Sequence, residues 1–347
     1  MALFAVVGGH GAPGATVTAL ALLHAWPLQE GRRVLLAECD PDGGVILSGA
    51  LEGRLDASRG LGQLGVADRQ GQLAQTLMTQ LTDVSPGGTA DRLLLPGVSD
   101  PAQYSGLAYV WEPLANLLVA LEGQGVDVLV DLGRSGATGP SAVLARRADA
   151  VLVVARSTLR SLTAAHPRIT ALRADLDTHG RGAETLGLVL VEQGPYKASD
   201  VSAQLGAPVV GLLPYAPAVA EVLSDGGNSH DRRFVRSPLL RASRTVIDEV
   251  RSQVTRRRAK LTQHQSGVPL LTDDQNTAPA TVPATGPVPA SAPLPGRGQG
   301  PQPGPMSGPY PGPVPPSPAA PRPMPTAPVP SAGPTGELRP QAVSHAR

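Results

Sequence analysis

The chain has 347 residues, a formal net charge of +1, 16% charged and only 3% aromatic residues. That balance gives no global pull toward nucleic acid or an acidic surface, and a single cysteine excludes an intramolecular disulfide framework and suits a reducing cytosol. No run approaches the ~20 apolar residues that span a bilayer, and the start Met-Ala-Leu-Phe lacks a charged leader region, so a cytoplasmic protein is expected.

In chain order, the apolar run at 3–7 predicts a first strand and the helix formers of 17–26 a first helix. Further strands are expected at 34–38, 92–95, 126–131, 150–154, 187–191 and 209–213, mostly continuous hydrophobics of the kind buried on both faces. Helical patterns fit 113–122, 139–147, 159–177, 198–205, 218–225 and 238–261. Short apolar runs alternating with helices imply a mostly parallel sheet with crossover helices, an α/β three-layer fold of Rossmann-like, P-loop type. The Gly- and Gln-rich stretch 53–92 has no clear assignment, and there is no internal repeat. Of 37 prolines, 23 lie beyond position 268, and Tyr310 is the only aromatic residue there. Residues 263–347 therefore read as a disordered Pro/Gly/Ala-rich tail that cannot offset its conformational entropy by burial, and 1–262 as one domain.

Between the first strand and the first helix runs Gly9-His10-Gly11-Ala12-Pro13-Gly14-Ala15-Thr16, followed by Val17. The pattern Gly-x4-Gly-Lys-[Ser/Thr] cradles phosphates with backbone N–H groups, sets an ammonium on the β/γ oxygens and a hydroxyl on Mg²⁺. Gly9, Gly14 and Thr16 fall where that chemistry needs them, but Ala15 stands in the lysine's place. Residues Gly9 through Val17 are the candidate nucleotide-binding loop. A turn that uses its glycines for backbone geometry alone is the plainer alternative.

Further pieces follow in order: Val34-Leu-Leu-Ala-Glu-Cys-Asp-Pro-Asp-Gly-Gly44, Val126-Asp-Val-Leu-Val-Asp131, Ala148-Asp-Ala-Val-Leu-Val-Val154 with Ser161-Leu-Thr163, and Leu212-Leu-Pro214. As an ordered set over residues 2–255 the chain resembles the MinD/ParA superfamily of deviant P-loop ATPases. Within it, the Gly-x-Pro-Gly loop is closest in flavour to the actinobacterial and pilus-assembly branch. The resemblance implies ATP and Mg²⁺ as ligands, a homodimer, and partners that include protein, DNA or an anionic membrane surface. It implies that Thr16 holds Mg²⁺ directly and Asp131 through water, and that Asp40 orients the attacking water. It also marks departures. The lysine that reaches across the family's dimer is His10 here, and the base-reading Asn is replaced by Val191-Glu-Gln-Gly194.

Phosphoryl transfer depends on positioning and on positive charge at the transferring oxygens, and one lost donor costs roughly 3 kcal/mol of barrier. Two cations are absent, and the chain's lysines are only Lys197 and Lys260. Arg134 and Arg156, each just past a strand end, are the candidate replacements. The expectation is a positioning or assembly scaffold with weak or no hydrolysis. An arginine reaching the cavity above Gly14, with room for a metal beside Thr16, would overturn the scaffold reading and make an active, atypical ATPase switch the simpler account. Glu38 reads as a lone strand-end charge and Cys39 as a small buried residue. The last helix carries one apolar stripe (Leu240, Val246, Ile247, Val250, Val254, Leu261). Its remaining face, with Arg251, Arg256, Arg257, Arg258 and Lys260, is either a solvated cationic surface or a patch for DNA phosphates or anionic lipid. The tail is either a spacer or a ligand for a partner's aromatic groove.

Overall fold

The computed structural model describes residues 3–9, 14–54, 56 and 58–266. The expected tail beyond 266 and His10, Gly11, Ala12 and Pro13 of the loop lie outside the described residues. From the N-terminus the elements are β1 (Leu3–Gly8), α1 (Ala15–Ala25), β2 (Arg33–Glu38), α2 (Leu61–Arg69), α3 (Leu73–Gln80), β3 (Thr82–Asp83) and β4 (Arg92–Leu95). Then come α4 (Trp111–Ala120), β5 (Val126–Asp131), α5 (Ala142–Arg147), β6 (Ala150–Arg156), α6 (Leu159–His179), β7 (Leu186–Glu192) and α7 (Ala198–Leu205). The domain closes with β8 (Val209–Pro214), α8 (Pro217–Asp225), α9 (Arg232–Val235) and α10 (Pro238–Ser266).

The strands form one sheet in the order β3-β4-β2-β5-β1-β6-β7-β8, parallel except for the antiparallel pair β3–β4. β1 pairs with both β5 and β6, so the chain winds outward from it in both directions. Ligands of open α/β sheets sit at such a reversal, outside the carboxyl ends of the strands. Because side chains alternate across a strand, each strand feeds two cores. Leu3, Ala5 and Val7 join Leu35, Val128, Val130, Val151 and Val153 under α2, α4, α5, α6 and α7. Phe4 and Val6 join Leu36, Leu129, Leu152 and Val154 under α1, α8 and α10. A sheet covered on both sides explains why its strands read as unbroken hydrophobic runs.

The stretch 53–92, left without assignment by its glycines, holds α2, α3 and β3. Gly65 of α2 is buried where an added Cβ would lie 3.1 Å from Leu107 Cδ2. The glycines thus let α2 close on the 3-10 turn Pro101–Leu107, a tertiary gain that outweighs their poor helix propensity. β3 has only two residues and leaves no periodicity to read. Ser85 shapes the turn behind it, its Oγ accepting the Asp91 and Arg92 N–H groups at 2.9 Å each. The apolar stripe of α10 spans Leu239 to Val254, whereas Leu261 is 57% exposed, so the expected last member of the stripe faces outward.

Candidate functional site

The site begins at the turn into α1. Gly14 has φ 133, a backbone state that L side chains rarely adopt, and its carbonyl accepts the Thr18 N–H at 2.8 Å. Upstream, the Gly8 N–H donates to the Gly133 carbonyl at 2.7 Å, which ties the end of β1 to the turn after β5. That turn is built on Gly133 at φ 51. A Cβ there would fall 1.8 Å from Asp40 Oδ2, so the glycine is what lets the Asp40 carboxylate lie against the backbone.

Two of the expected carboxylates lie at neighbouring strand exits, Asp131 as the last residue of β5 and Asp40 two residues past β2. Asp131 is fully buried, and its Oδ1 accepts the Gly133 N–H at 3.0 Å. Its Oδ2 is buried with no hydrogen-bond partner. Burial pushes its pKa up to about 7; the neighbouring Thr16 hydroxyl and the Gly133 N–H pull downward, while Glu38 and Asp40 add to the rise. Thr16 sits close enough to influence Asp131 without forming a hydrogen bond of normal geometry to Oδ2. Asp40 Oδ1 accepts the Asp42 N–H at 2.9 Å. Burial also raises Asp40, against that N–H and the charges of Arg134 and Arg168.

Gly14, Ala15, Thr16, Val17, Asp40 and Arg134 line one cavity of about 440 Å³ together with Val45, Ile46 and Leu223. The Nε of Arg134 lies 3.5 Å from Asp42 Oδ2. Arg156 lines a neighbouring cavity of about 260 Å³ that shares Gly14 and Val17 with the first and also includes Val191, Pro214 and Tyr215, its guanidinium 5.9 Å from the Tyr215 ring centroid. Gly9 is buried at the end of β1. Cys39 is fully buried in the first core, where burial pushes its thiol up.

Two further residues join this region: Arg168, which the sequence did not single out, and Glu38, which was expected as a lone strand-end charge and is instead buried and hydrogen-bonded. Arg168 of α6 turns Nε and Nη2 into the protein without a hydrogen-bond partner, and its charge bears on Asp40 and Asp42. It falls within the helix expected at 159–177, where nothing in the sequence singled it out. Glu38 is 1% exposed and accepts three backbone N–H groups. The helix-borne cations are divided. Arg257 donates to the Asp149 carbonyl, and Arg258 binds Glu122 and Asp149, with Nη1 2.6 Å from Glu122 Oε1 and Nη2 2.8 Å from Asp149 Oδ2. Arg256 engages Ser252 and Glu249, Arg251 is half-buried, and Lys260 is exposed.

Among the described residues, no group of three or more His, Cys, Asp or Glu side chains is arranged to hold a metal ion. A hard divalent cation here would need phosphate oxygens beside its protein ligands, which is how Mg²⁺ is usually held. The orphaned Asp131 Oδ2, the adjacent Thr16 hydroxyl and the Arg134 guanidinium fit a magnesium–phosphate group. No described helix is long and apolar enough to cross a membrane.

A β1-centred parallel sheet, a Gly-rich turn into α1 and carboxylates at the ends of β2 and β5 make this a P-loop ATPase-like fold. No family model matches the chain. Its described domain has the fold of the MinD/ParA ATPases. It is similar to the ParA family ATPase of Chlorobium tepidum TLS, with 16% identity, a TM-score of 0.51 and coverage of 75% of this chain and 98% of that one. It is also similar to the cell division ATPase MinD of Pyrococcus furiosus, with 18% identity, a TM-score of 0.52 and coverage of 72% and 98%. A third likeness is to the septum site-determining protein MinD of Pyrococcus horikoshii complexed with Mg-ADP, with 18% identity, a TM-score of 0.52 and coverage of 71% and 94%. At such identities the likeness is one of fold. Two uncharacterized proteins from strains of Mycobacterium tuberculosis are each 28% identical over 262 residues, 71% of this chain. The chain spans 63% of the length of these curated relatives.

Proposed function

We propose that the chain is a MinD/ParA-like positioning protein that binds a magnesium nucleotide and hydrolyses it slowly or not at all, acting chiefly as a localisation or assembly scaffold. The observation that carries this reading is the cavity shared by Gly14, Thr16, Asp40 and Arg134. It keeps the hydroxyl, one carboxylate and a single cation of a phosphate site, with no lysine on its walls. Nucleotide binding is favoured by the solved relative that carries Mg-ADP. In this reading Thr16 and, through water, Asp131 would hold Mg²⁺, which supplies positive charge to the phosphate oxygens. The N-terminal turn of α1 presents backbone N–H groups to the anion. In the same reading Asp40 would orient a water, and Arg134 would neutralise one phosphate oxygen in place of the missing lysines.

An arginine does reach this cavity, one of the two features, with room for a metal beside Thr16, that would make an active, atypical ATPase switch the simpler account. Its Nε nonetheless faces Asp42 Oδ2 at 3.5 Å. A guanidinium already facing a carboxylate is poorly organised for a developing phosphate charge, which supports slow turnover. The partners proposed are a second copy of the chain, proteins reached through the surface and the Pro-rich tail, and DNA or an anionic membrane surface. The setting proposed is the cytoplasm, with association to nucleoid or membrane from outside. Calorimetric titration with ATP·Mg²⁺ tests the reading. Binding is expected, lost in Thr16→Ala and about tenfold weaker in Arg134→Ala, the usual worth of one charge-assisted contact. No binding by the wild type would leave a scaffold without nucleotide. Rapid hydrolysis abolished by Asp40→Ala would replace the scaffold with a working ATPase.

A further inference from the structure

Glu38 ends β2 two residues before Asp40, and its side chain does not enter the cavity. It turns into the protein, 1% exposed, and is shared between two segments far apart in sequence. Oε1 accepts the N–H groups of Val45 at 2.7 Å and Ile46 at 3.0 Å. Oε2 accepts the N–H of Gly97, just after β4, at 2.8 Å. The backbone has been cleared to allow this. A Cβ on Gly44 would lie 2.9 Å from Oε2 and 3.0 Å from the Gly97 Cα, and a Cβ on Gly97 would lie 3.0 Å from Oε2. The Gly44 N–H completes the seam by donating to the Val98 carbonyl at 2.7 Å.

Val45 and Ile46 form part of the wall of the cavity that Thr16 and Val17 also line. The wall is steadied locally by the Gly49 and Leu51 N–H groups on the Val45 and Ile46 carbonyls and by Ile46 in the second core. The Glu38 carboxylate and the Gly44–Val98 hydrogen bond tie it to the β4 exit. We propose that Glu38 is a positioning residue of the nucleotide site, which sets the cavity width by pinning the Val45–Ile46 wall to the β4 exit at Gly97. The inference rests on the nucleotide reading above. The length of the side chain matters to it. A glutamate side chain has the reach with which one carboxylate spans both segments.

The substitution Glu38→Gln tests the idea, because an amide replaces one acceptor oxygen by a donor. Either Gly97 or the Val45–Ile46 pair must then face an NH₂ group, whichever way the amide turns. In the full chain, hydrogen exchange at the Val45, Ile46 and Gly97 amides is expected to accelerate selectively. The affinity for a fluorescent ATP analogue with Mg²⁺ should fall about tenfold, the usual consequence of leaving one buried donor unmatched. Glu38→Asp should free Gly97 while keeping one side of the clamp, and so fall between the two. Leu176→Ala, buried in α6 away from the cavity, supplies a comparably destabilised chain that keeps full affinity. Unchanged exchange at the three amides in Glu38→Gln would overturn the proposal, as would an affinity loss no larger than in Leu176→Ala. If the wild type binds no nucleotide, the exchange measurement still decides whether the clamp exists, and only the functional reading fails.

Discussion

Asp131 is the residue on which acid and base behaviour turns. Its folded pKa of about 7 lies well above the ordinary carboxylate range, so the folded chain keeps a proton that the unfolded chain releases. Its contribution to stability is therefore complete below about pH 4 and is lost as the pH rises through about 7. In metal- and nucleotide-free buffer, Asp131→Asn is expected to melt above the wild type near pH 8 and level with it near pH 4. Equal melting curves at both pH values would remove the buried charge from the account. Glu38 and Asp40, raised by burial in the same direction, remain in both proteins. Gly133 gives a second test. Ala there must adopt φ 51 and meet Asp40 Oδ2 at 1.8 Å, so a loss of about 2–4 kcal/mol in urea unfolding is expected, with loss of nucleotide binding. Thr16, Asp40 and Asp131 were legible because a loop and two strand ends fix their spacing. Glu38 was not: its partner Gly97 lies 59 residues on, and local sequence cannot report a contact that only the β2–β4 pairing creates. Arg168 was hidden for the same reason, its neighbours Asp40 and Asp42 belonging to another element.

Among the elements, α10 shows how one helix can carry two kinds of cation. Its inward stripe Leu240, Val246, Ile247, Val250 and Val254 packs on α1 and β8. An added Cβ on Gly211 of β8 would lie 2.3 Å from Val246 Cγ2, which measures how closely the helix approaches the sheet. Arg258 then fixes the far end to Glu122 and to the buried Asp149, which Arg181 also binds. Arg258→Ala is expected to cost about 2 kcal/mol, because it strips hydrogen bonds from a buried carboxylate. Arg256→Ala, an exposed pair with Glu249, should change stability by less than about 0.5 kcal/mol. Equal losses on chemical denaturation would contradict this division. Basic composition announced the helix's charge. It could not say which arginines are consumed inward, because Asp149 and Glu122 reach them only in three dimensions. The helices α2 and α3 were illegible for the opposite reason, since their glycines and glutamines carry no helical pattern until the turn at Pro101–Leu107 packs on them.

At the scale of the molecule, two cores on opposite faces of one sheet are complete by Val254. A chain ending at Ser266 is therefore expected to keep the melting midpoint and nucleotide affinity of the full protein; a fall in either would assign the remaining residues a part in the fold or the site. The anchor at Asp149 has a wider consequence. Its carboxylate also accepts the Leu3 N–H, and its own N–H donates to the Leu3 carbonyl, so α10 is fastened where β1 and β6 begin. The cavity lies at the strands' other ends. Force applied at the Arg258 end of α10 would therefore be borne where the central strand starts, remote from the turn at Gly14.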